Sequence, residues 1–159
     1  MTDAAGKIVD PAEAATRAQQ ARSAGLRVVL TSGVFDLLEV RHVRLLHAAR
    51  IRGDLLLCAV HGDPAAHILL GEGRPVLPLA ERMELVAATR GVDAVFPLAS
   101  MDAADAIAGV GPHVYLAGRE SRLDPRRVPH GVAVVETDVT ADGGDAVARI
   151  LAADRRTAP

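Results

Sequence analysis

The sequence predicts an α/β fold, a Rossmann-like open parallel sheet of five strands covered by helices. Short apolar runs alternate with helical patterns along the chain, and this order is typical of parallel strands joined by helical crossovers. Half of the 159 residues are apolar, but they include only two Phe, one Tyr and no Trp. We therefore expect a core of Ala, Val and Leu, as in buried parallel strands under alanine-rich helices. The length suits one domain over residues 1–159.

Local signals predict the first elements. Pro11 suits a first helical turn and Gly25 stands where a helix ends, so a helix is expected over 11–24. The apolar run 27–31 is the first strand. After a glycine-containing turn, apolar residues at helical spacing predict a second helix over 40–52.

The same pattern continues through the rest of the chain. The continuous apolar run 55–60 indicates a central parallel strand, and the glycines and proline of 71–75 predict a loop. Pro78 opens a helix that Gly91 stops. The remaining predicted elements are strands over 94–97, 114–117 and 132–135, helices over 101–108 and 145–153, and a polar surface excursion over 118–131.

Composition and charge argue against several classes of function. A formal net charge of −2 disfavours a nucleic-acid-binding surface. No apolar run approaches the roughly 20 residues of a membrane span, and no signal-peptide segment is present, so we expect a cytoplasmic protein without membrane contact. No metal site is predicted, because Cys–His zinc spacing is absent and the only other candidate ligands match no metal-binding spacing. Those candidates are Glu39, His42, His61 and Asp63.

The segment 31–42 reads Thr-Ser-Gly-Val-Phe-Asp-Leu-Leu-Glu-Val-Arg-His and joins the first strand to the second helix. Strand, glycine turn and helix together hold phosphate against backbone N–H groups and a helix N-terminus. Ligands of open parallel sheets bind beyond the carboxyl ends of the strands, where this turn falls. The residues expected to line a phosphate or nucleotide site are Ser32, Gly33, Val34, Phe35 and Asp36.

This segment resembles the phosphate-binding start of the nucleotidyltransferase superfamily, whose members read G-x-F-D…H-x-G-H. Other stretches resemble the adenylyltransferase domain of ADP-heptose synthase, in order and with similar spacing. They are residues 6–9, 53–54, 71–76, 81–82 and 91–93, with Asp63 after the second strand and Pro78 before the next helix. Glycerol-3-phosphate cytidylyltransferases share much of this pattern, so the resemblance covers nearly the whole chain.

The resemblance implies transfer of a nucleotidyl group from ATP or CTP, with Mg²⁺, to a phosphorylated sugar or polyol. The acceptor phosphate would attack the α-phosphorus in line, and the protein would position the reactants and neutralise developing charge. His42 matches the second histidine of H-x-G-H, and Gly118 and Arg119 lie in the family's K-G-G-like loop. The partner implied is a small-molecule phosphate or nucleotide, and homodimers are common among such proteins.

Several positions depart from the family pattern. Glu39 replaces the first histidine, and a carboxylate about 4 Å from a phosphate is repelled by roughly 4 kcal/mol at an effective dielectric of 20. Arg41 replaces the glycine, where it would either fill the nucleotide space or reach a phosphate as a bidentate donor. Other family donors are replaced by Leu70, Ala117 and Asp142-Gly143-Gly144. Losing one such donor costs about 10²–10³ in rate, so the replacements together predict a lost, slowed or changed reaction.

The roles of Glu39 and His42 stay open at this point. Three residues apart, they would share a helix face and act as an acid–base pair, or they would form an ordinary ion pair at a helix start. Two functional classes remain as well. One is an enzyme, either a divergent transferase or a repurposed small-molecule enzyme in the same cleft. The other is a catalytically silent relative that binds a metabolite or a protein partner.

Overall fold

The computed structural model of the chain describes residues 4–118 and 121–137. In chain order the elements are a 3₁₀ turn (Ala4–Lys7), α1 (Pro11–Ser23), β1 (Val28–Gly33), α2 (Val40–Arg50), β2 (Leu55–His61), α3 (Asp63–Leu70), α4 (Leu79–Ala88), β3 (Ala94–Leu98), α5 (Ala104–Val110), β4 (Val114–Ala117), a second 3₁₀ turn (Pro125–Arg127) and β5 (Ala133–Glu136). The five strands form one sheet in which all neighbours are parallel, so the predicted fold class is confirmed. The helix predicted over 145–153 lies outside the described residues.

The strand order is β3-β2-β1-β4-β5. The chain moves outwards from β1 through β2 to β3, then returns to the other side of β1 to form β4 and β5. The order therefore reverses between β1 and β4. In open sheets, ligands bind in the crevice beyond the carboxyl ends of the strands at such a reversal. The residues that follow β1 and β4 form the two sides of this crevice.

Apolar layers cover both faces of the sheet. On one face α1 and α5 bury small and branched side chains such as Ala18 and Ile107. On the other face α2 and α4 contribute Leu46 and Val86 among others. The buried apolar residues are mostly Ala, Val and Leu, as the composition predicted. Cys58 is fully buried in the second layer, where burial raises the pKa of its thiol.

One helix was missed from the sequence. Helix α3 lies between β2 and the predicted loop of 71–75, in a stretch for which no element was predicted. Gly62 is its N-cap, Asp63 and Pro64 begin its first turn, and Gly71 follows it with a φ of 92°. Pro64 in its first turn is a helix signal that the sequence analysis did not use. Eight residues are too few for the helical period to indicate a helix by itself.

Several element boundaries also differ from the prediction by one to three residues, and the end of β1 and the start of α5 are two examples. Strand β1 continues through Ser32 and Gly33, because both residues pair with β2. Helix α5 begins at Ala104 rather than at 101, because the side chain of Asp102 accepts a hydrogen bond from the backbone N–H of Ala104 at 2.9 Å. No helix in the described ranges is long and apolar enough to cross a membrane.

Candidate functional site

The backbone between β1 and α2 is held in an uncommon conformation. Phe35 and Leu37 have φ angles of 54° and 51°, in the left-handed region. This conformation costs roughly 1–2 kcal/mol per residue for side chains other than glycine. Val34, Phe35 and Asp36 are nevertheless almost completely buried. Contacts from elsewhere in the chain must therefore stabilise the loop.

Gly33 is required by a close packing contact. A Cβ atom at this position would lie 2.9 Å from Cε2 of the Phe35 ring. The glycine thus lets the Phe35 ring pack over the end of β1. The same ring lies 5.5 Å from the ring of His42, measured between centroids and tilted by 59°. Gly33, Phe35 and His42 consequently form one packed unit at the carboxyl end of β1.

Asp36 connects this loop to the segment before α4. Its carboxylate accepts hydrogen bonds from Arg74 Nε at 2.6 Å and from the backbone N–H groups of Val76 at 2.8 Å and Leu77 at 3.0 Å. Burial opposes ionisation of Asp36, but the two N–H groups and the Arg74 guanidinium outweigh it and lower the pKa of this carboxyl. Asp36 is therefore a charged anchor inside the protein, and its hydrogen bonds hold the loop after β1 against the segment before α4.

Arg82 is a second anchor, fully buried on α4. Its Nη1 donates to the carbonyl of Val34 at 2.6 Å, and its Nε donates to the carbonyl of Leu77 at 3.0 Å. Its Nη2 pairs with Asp63 Oδ1 at 2.6 Å. One guanidinium thus joins the loop after β1, the segment before α4 and the start of α3.

Glu39, Arg41 and His42 surround the start of α2. Glu39 is the N-cap, and its carboxylate Oε2 accepts a hydrogen bond from Arg41 Nε at 2.6 Å. His42 Nδ1 accepts from the backbone N–H of Glu39 at 2.9 Å, as part of a capping box. An accepting Nδ1 carries a lone pair, so this hydrogen bond requires the imidazole with its proton on Nε2. The Glu39 carboxylate thus pairs with Arg41, and the His42 ring accepts a hydrogen bond from the Glu39 backbone.

His42 therefore has a structural role that substitutions can separate from a role in binding. His42→Asn places Oδ1 where Nδ1 accepts the Glu39 N–H, whereas His42→Ala removes that acceptor. We expect His42→Ala to be less stable than His42→Asn by about 1 kcal/mol, measured by urea unfolding. If the ring also contacts a phosphate, both variants lose nucleotide affinity equally in calorimetry. Full affinity in His42→Asn would show that His42 acts only by capping α2.

The two strands beside the crevice are joined by buried hydroxyl groups. Ser32 Oγ lies 2.7 Å from the Tyr115 hydroxyl oxygen. Ser121 Oγ accepts from the backbone N–H of Gly118 at 3.0 Å and donates to the carbonyl of Ser32 at 3.4 Å. A Cβ atom on Gly118 would lie 2.9 Å from Leu45 Cδ2, so glycine lets the turn after β4 approach α2. The Ser32 hydroxyl is therefore engaged by Tyr115 and its carbonyl by Ser121, and Ser32 is almost completely buried.

The structure brings together the predicted residues 32–36, Glu39, Arg41, His42 and Gly118 around the ends of β1 and β4. Arg119 lies outside the described residues, as do Asp142, Gly143 and Gly144. Sequence reasoning assigned no role to Arg74, Arg82 or Tyr115. One signal for Arg82 was available: it shares a helix face with Met83 and Val86, where an apolar residue is expected.

Neither a metal centre nor a catalytic triad emerges from the described residues. Among them, no three His, Cys, Asp or Glu side chains are placed to hold a metal ion. His61 is fully buried, with Nδ1 at 2.9 Å from the carbonyl oxygen of Ser100.

A cavity of about 840 Å³ lies along β5 and reaches Gly118 and Ser121 beside the crevice. Its lining is mixed, with Leu123 and Glu136 as examples of apolar and charged members.

Comparison with known proteins agrees with this architecture. The bifunctional protein HldE of Halorhodospira halophila is 38% identical over 145 residues, which are 91% of this chain and 29% of that protein. HldE of Alkalilimnicola ehrlichii is 44% identical over 98 residues, or 62% of this chain and 20% of that protein. The chain thus spans less than a third of the length of these curated relatives.

A solved structure shares the fold. The lipopolysaccharide core biosynthesis protein from Thermoplasma volcanium superposes with a TM-score of 0.61 and 22% identity, covering 72% of this chain and 98% of that one. The family profile described as cytidylyltransferase-like matches residues 30–142, which include the loop after β1, α2 and the turn after β4. This match covers most of the chain, and the chain belongs to the cytidylyltransferase-like family.

Proposed function

We propose that the protein is a divergent nucleotidyltransferase. It binds ATP or CTP in the crevice between the ends of β1 and β4 and transfers the nucleotidyl group to the phosphate of a sugar or polyol phosphate. An oxygen of the acceptor phosphate forms the new bond to the α-phosphorus. The bond from the α-phosphorus to the β-phosphate oxygen breaks, and pyrophosphate leaves. Family membership and the position of the crevice support this proposal.

The observation that carries the proposal is the conformation of the loop after β1. Left-handed backbone at Phe35 and Leu37 is unfavourable by itself and persists only where surrounding contacts over-determine it. Asp36 and Arg82 supply those contacts from inside the protein. Such backbone is concentrated at ligand sites, where it pre-organises binding groups.

The crevice also adjoins space for the rest of a nucleotide. Small-molecule sites commonly measure about 300–1,000 Å³, and the cavity beside Gly118 falls within that range at about 840 Å³. We assign this cavity to the nucleoside. The phosphates would then lie towards the start of α2, whose backbone N–H groups and positive dipole end favour anions.

The described residues do not form a protein site for Mg²⁺. Of the two carboxylates at the loop, Asp36 is engaged by Arg74, Val76 and Leu77, and Glu39 pairs with Arg41. Mg²⁺ would accordingly arrive as part of the nucleotide complex, held by phosphate oxygens and water.

A second candidate function is binding of a phosphorylated metabolite without transfer. It is favoured by one observation: Glu39 and Arg41 occupy the positions of a histidine and a glycine in the family pattern and pair with each other. That pairing removes a donor which would neutralise charge in the transition state. Binding alone survives such a loss more easily than catalysis does.

The two functions predict different results in one set of measurements. Calorimetric titration with ATP and CTP in the presence of Mg²⁺ should give micromolar binding of one of them for the transferase, whereas a protein that binds another phosphorylated metabolite should bind neither nucleotide. Pyrophosphate release with a panel of sugar and polyol phosphates is expected only for the transferase. The double variant Glu39→His, Arg41→Gly restores the family pattern and should raise that release by about 10²-fold or more. Binding of neither nucleotide would refute the proposed function.

A further inference from the structure

A buried tyrosine supports the cavity beside the crevice. Tyr115 on β4 is fully buried and belongs to the apolar cluster that covers one face of the sheet. Four partly buried apolar residues pack against that cluster and also line the cavity of about 840 Å³. They are Ala117, Leu123, Val128 and Val132. Tyr115 is therefore part of the core behind the cavity wall, and a ligand in the cavity would not contact its side chain.

The Tyr115 hydroxyl connects this core to the crevice. Its oxygen lies 2.7 Å from Ser32 Oγ at the end of β1, and it also hydrogen-bonds the side chain of Ser121. Burial raises the pKa of Tyr115, and the hydrogen bonds with Ser121 and Ser32 oppose that rise. The hydroxyl thus keeps its proton at neutral pH, so it can donate one hydrogen bond and accept another.

Ser121 joins the Tyr115 hydroxyl to the turn after β4. Its Oγ accepts from the backbone N–H of Gly118 at 3.0 Å and donates to the carbonyl of Ser32 at 3.4 Å. Its backbone N–H donates to the carbonyl of Gly118 at 3.0 Å. Gly118 and Ser121 both line the cavity. One serine side chain consequently fixes the cavity-lining part of this turn against β1.

The next part of the cavity wall has separate supports. The backbone N–H of Ala103 donates to the carbonyl of Arg122 at 2.8 Å, and Arg127 Nη1 pairs with Asp102 Oδ2 at 2.7 Å. These contacts attach the segment 122–127 to the residues just before α5. The turn after β4 takes no part in them, so its placement at the crevice depends on the hydroxyl groups.

We propose that Tyr115 is a positioning residue for the nucleoside part of the nucleotide, because its hydroxyl holds Ser121 and Ser121 holds the turn that lines the cavity. The inference rests on the proposed function and concerns the cavity assigned to the nucleoside, not the phosphates at the start of α2. Residues of one hydrogen-bond network act as a unit. A direct contact between Ser121 and the ligand would, in contrast, not require Tyr115.

A double-mutant cycle separates positioning from direct contact. Calorimetry measures binding of ATP and CTP with Mg²⁺, and binding of tripolyphosphate, which lacks a nucleoside. For the nucleotide that binds, we expect Tyr115→Phe to weaken affinity about fivefold, the scale of one hydrogen bond. Ser121→Ala should weaken it at least as much, and the double variant should bind no more weakly than Ser121→Ala alone. Tripolyphosphate affinity should be unchanged in all three variants.

Thr31→Val is the matched control. The fully buried Thr31 Oγ1 donates to the carbonyl of Leu116 at 2.9 Å, so it also joins β1 to β4, but this hydrogen bond does not involve the turn after β4. Thr31→Val should therefore leave nucleotide affinity unchanged. Urea unfolding compares its stability with that of Tyr115→Phe and checks that every variant is folded.

Several results would overturn the role of Tyr115 and leave the proposed function standing, provided that the wild-type protein binds ATP or CTP. They are unchanged nucleotide affinity in Tyr115→Phe, losses that multiply in the double variant, and an equal loss in Thr31→Val. An equal loss of tripolyphosphate affinity would do the same, because it would show that the substitution acts on the phosphates. Wild-type protein that binds neither nucleotide would overturn both proposals.

Discussion

Asp36→Asn is expected to destabilise the protein by about 3 kcal/mol at pH 7, because it removes one partner of a buried ion pair and leaves the other charge in place. Arg74 Nε lies 2.6 Å from Asp36 Oδ2, and the Asp36 side chain is fully buried. Asparagine has only one acceptor oxygen, so its NH₂ group would face donors in place of one carboxylate oxygen. Those donors are Arg74 and the N–H of Val76 at the Oδ2 position, or the N–H of Leu77 at the Oδ1 position. Urea unfolding monitored by circular dichroism measures the change.

The effect should depend on pH with a defined sign. Backbone N–H groups and Arg74 outweigh burial and lower the pKa of Asp36 in the folded state. The stabilisation is therefore complete above the unfolded-state value of about 3.9 and is lost as pH falls through the folded-state pKa. The difference between wild type and Asp36→Asn should narrow below about pH 4. A difference in stability that stayed constant between pH 7 and pH 3 would contradict this assignment.

Glu72→Gln is the control for Asp36→Asn. Glu72 is an exposed acid in the same segment as Arg74, and its substitution should change stability by no more than about 0.5 kcal/mol.

Arg82→Met is expected to cost about 3 kcal/mol or more. Methionine fills much of the same space, but the carbonyls of Val34 and Leu77 lose their donor inside the protein. Each buried acceptor without a partner costs about 1–3 kcal/mol. Because Val34 directly precedes the left-handed Phe35, we also expect ATP affinity to fall in any preparation that remains folded. Urea unfolding and calorimetry measure the two effects.

Asp63→Asn is the matched control for Arg82. The Asp63 side chain is 47% exposed, so its ion pair with Arg82 is screened by solvent. We expect a change within about 1 kcal/mol. If Asp63→Asn were as destabilising as Arg82→Met, the contribution of Arg82 would come from the ion pair rather than from the two carbonyls of the loop.

The fold was accessible from the sequence because its signals are local. Each strand is a short apolar run, and most helices carry proline at the start or glycine at the end. Such features lie within a few residues of one another. Helix α3 was missed although Pro64 and Gly71 mark its ends, because eight residues carry too little of the helical period. The order of elements predicted that ligands bind beyond the carboxyl ends of the strands. The strand order that places the crevice between β1 and β4 was not predicted.

The contacts within the site were only partly accessible. Glu39 and His42 were expected to interact because they are three residues apart, and they do interact, through the Glu39 backbone. The pairing of Glu39 with Arg41 was not expected, since residues two apart do not face each other on a helix. It forms because Glu39 is the N-cap, with extended backbone at φ −114° and ψ 169°, and so lies outside the helical geometry.

By itself, the sequence determined the parallel sheet and the alanine- and valine-rich layers, and it predicted the loop after β1 as the place for a ligand. Only the tertiary structure decided how that loop is held, because its supports are distant in the chain. Asp36 pairs with Arg74, and the carbonyl of Val34 accepts a hydrogen bond from Arg82, which is 48 positions further along the chain. No local sequence pattern predicts such a contact, since it forms only when the loop after β1 packs against α4. The conformation of the loop, where we propose that phosphate binds, is thus set by buried charges that contact it from the interior of the protein.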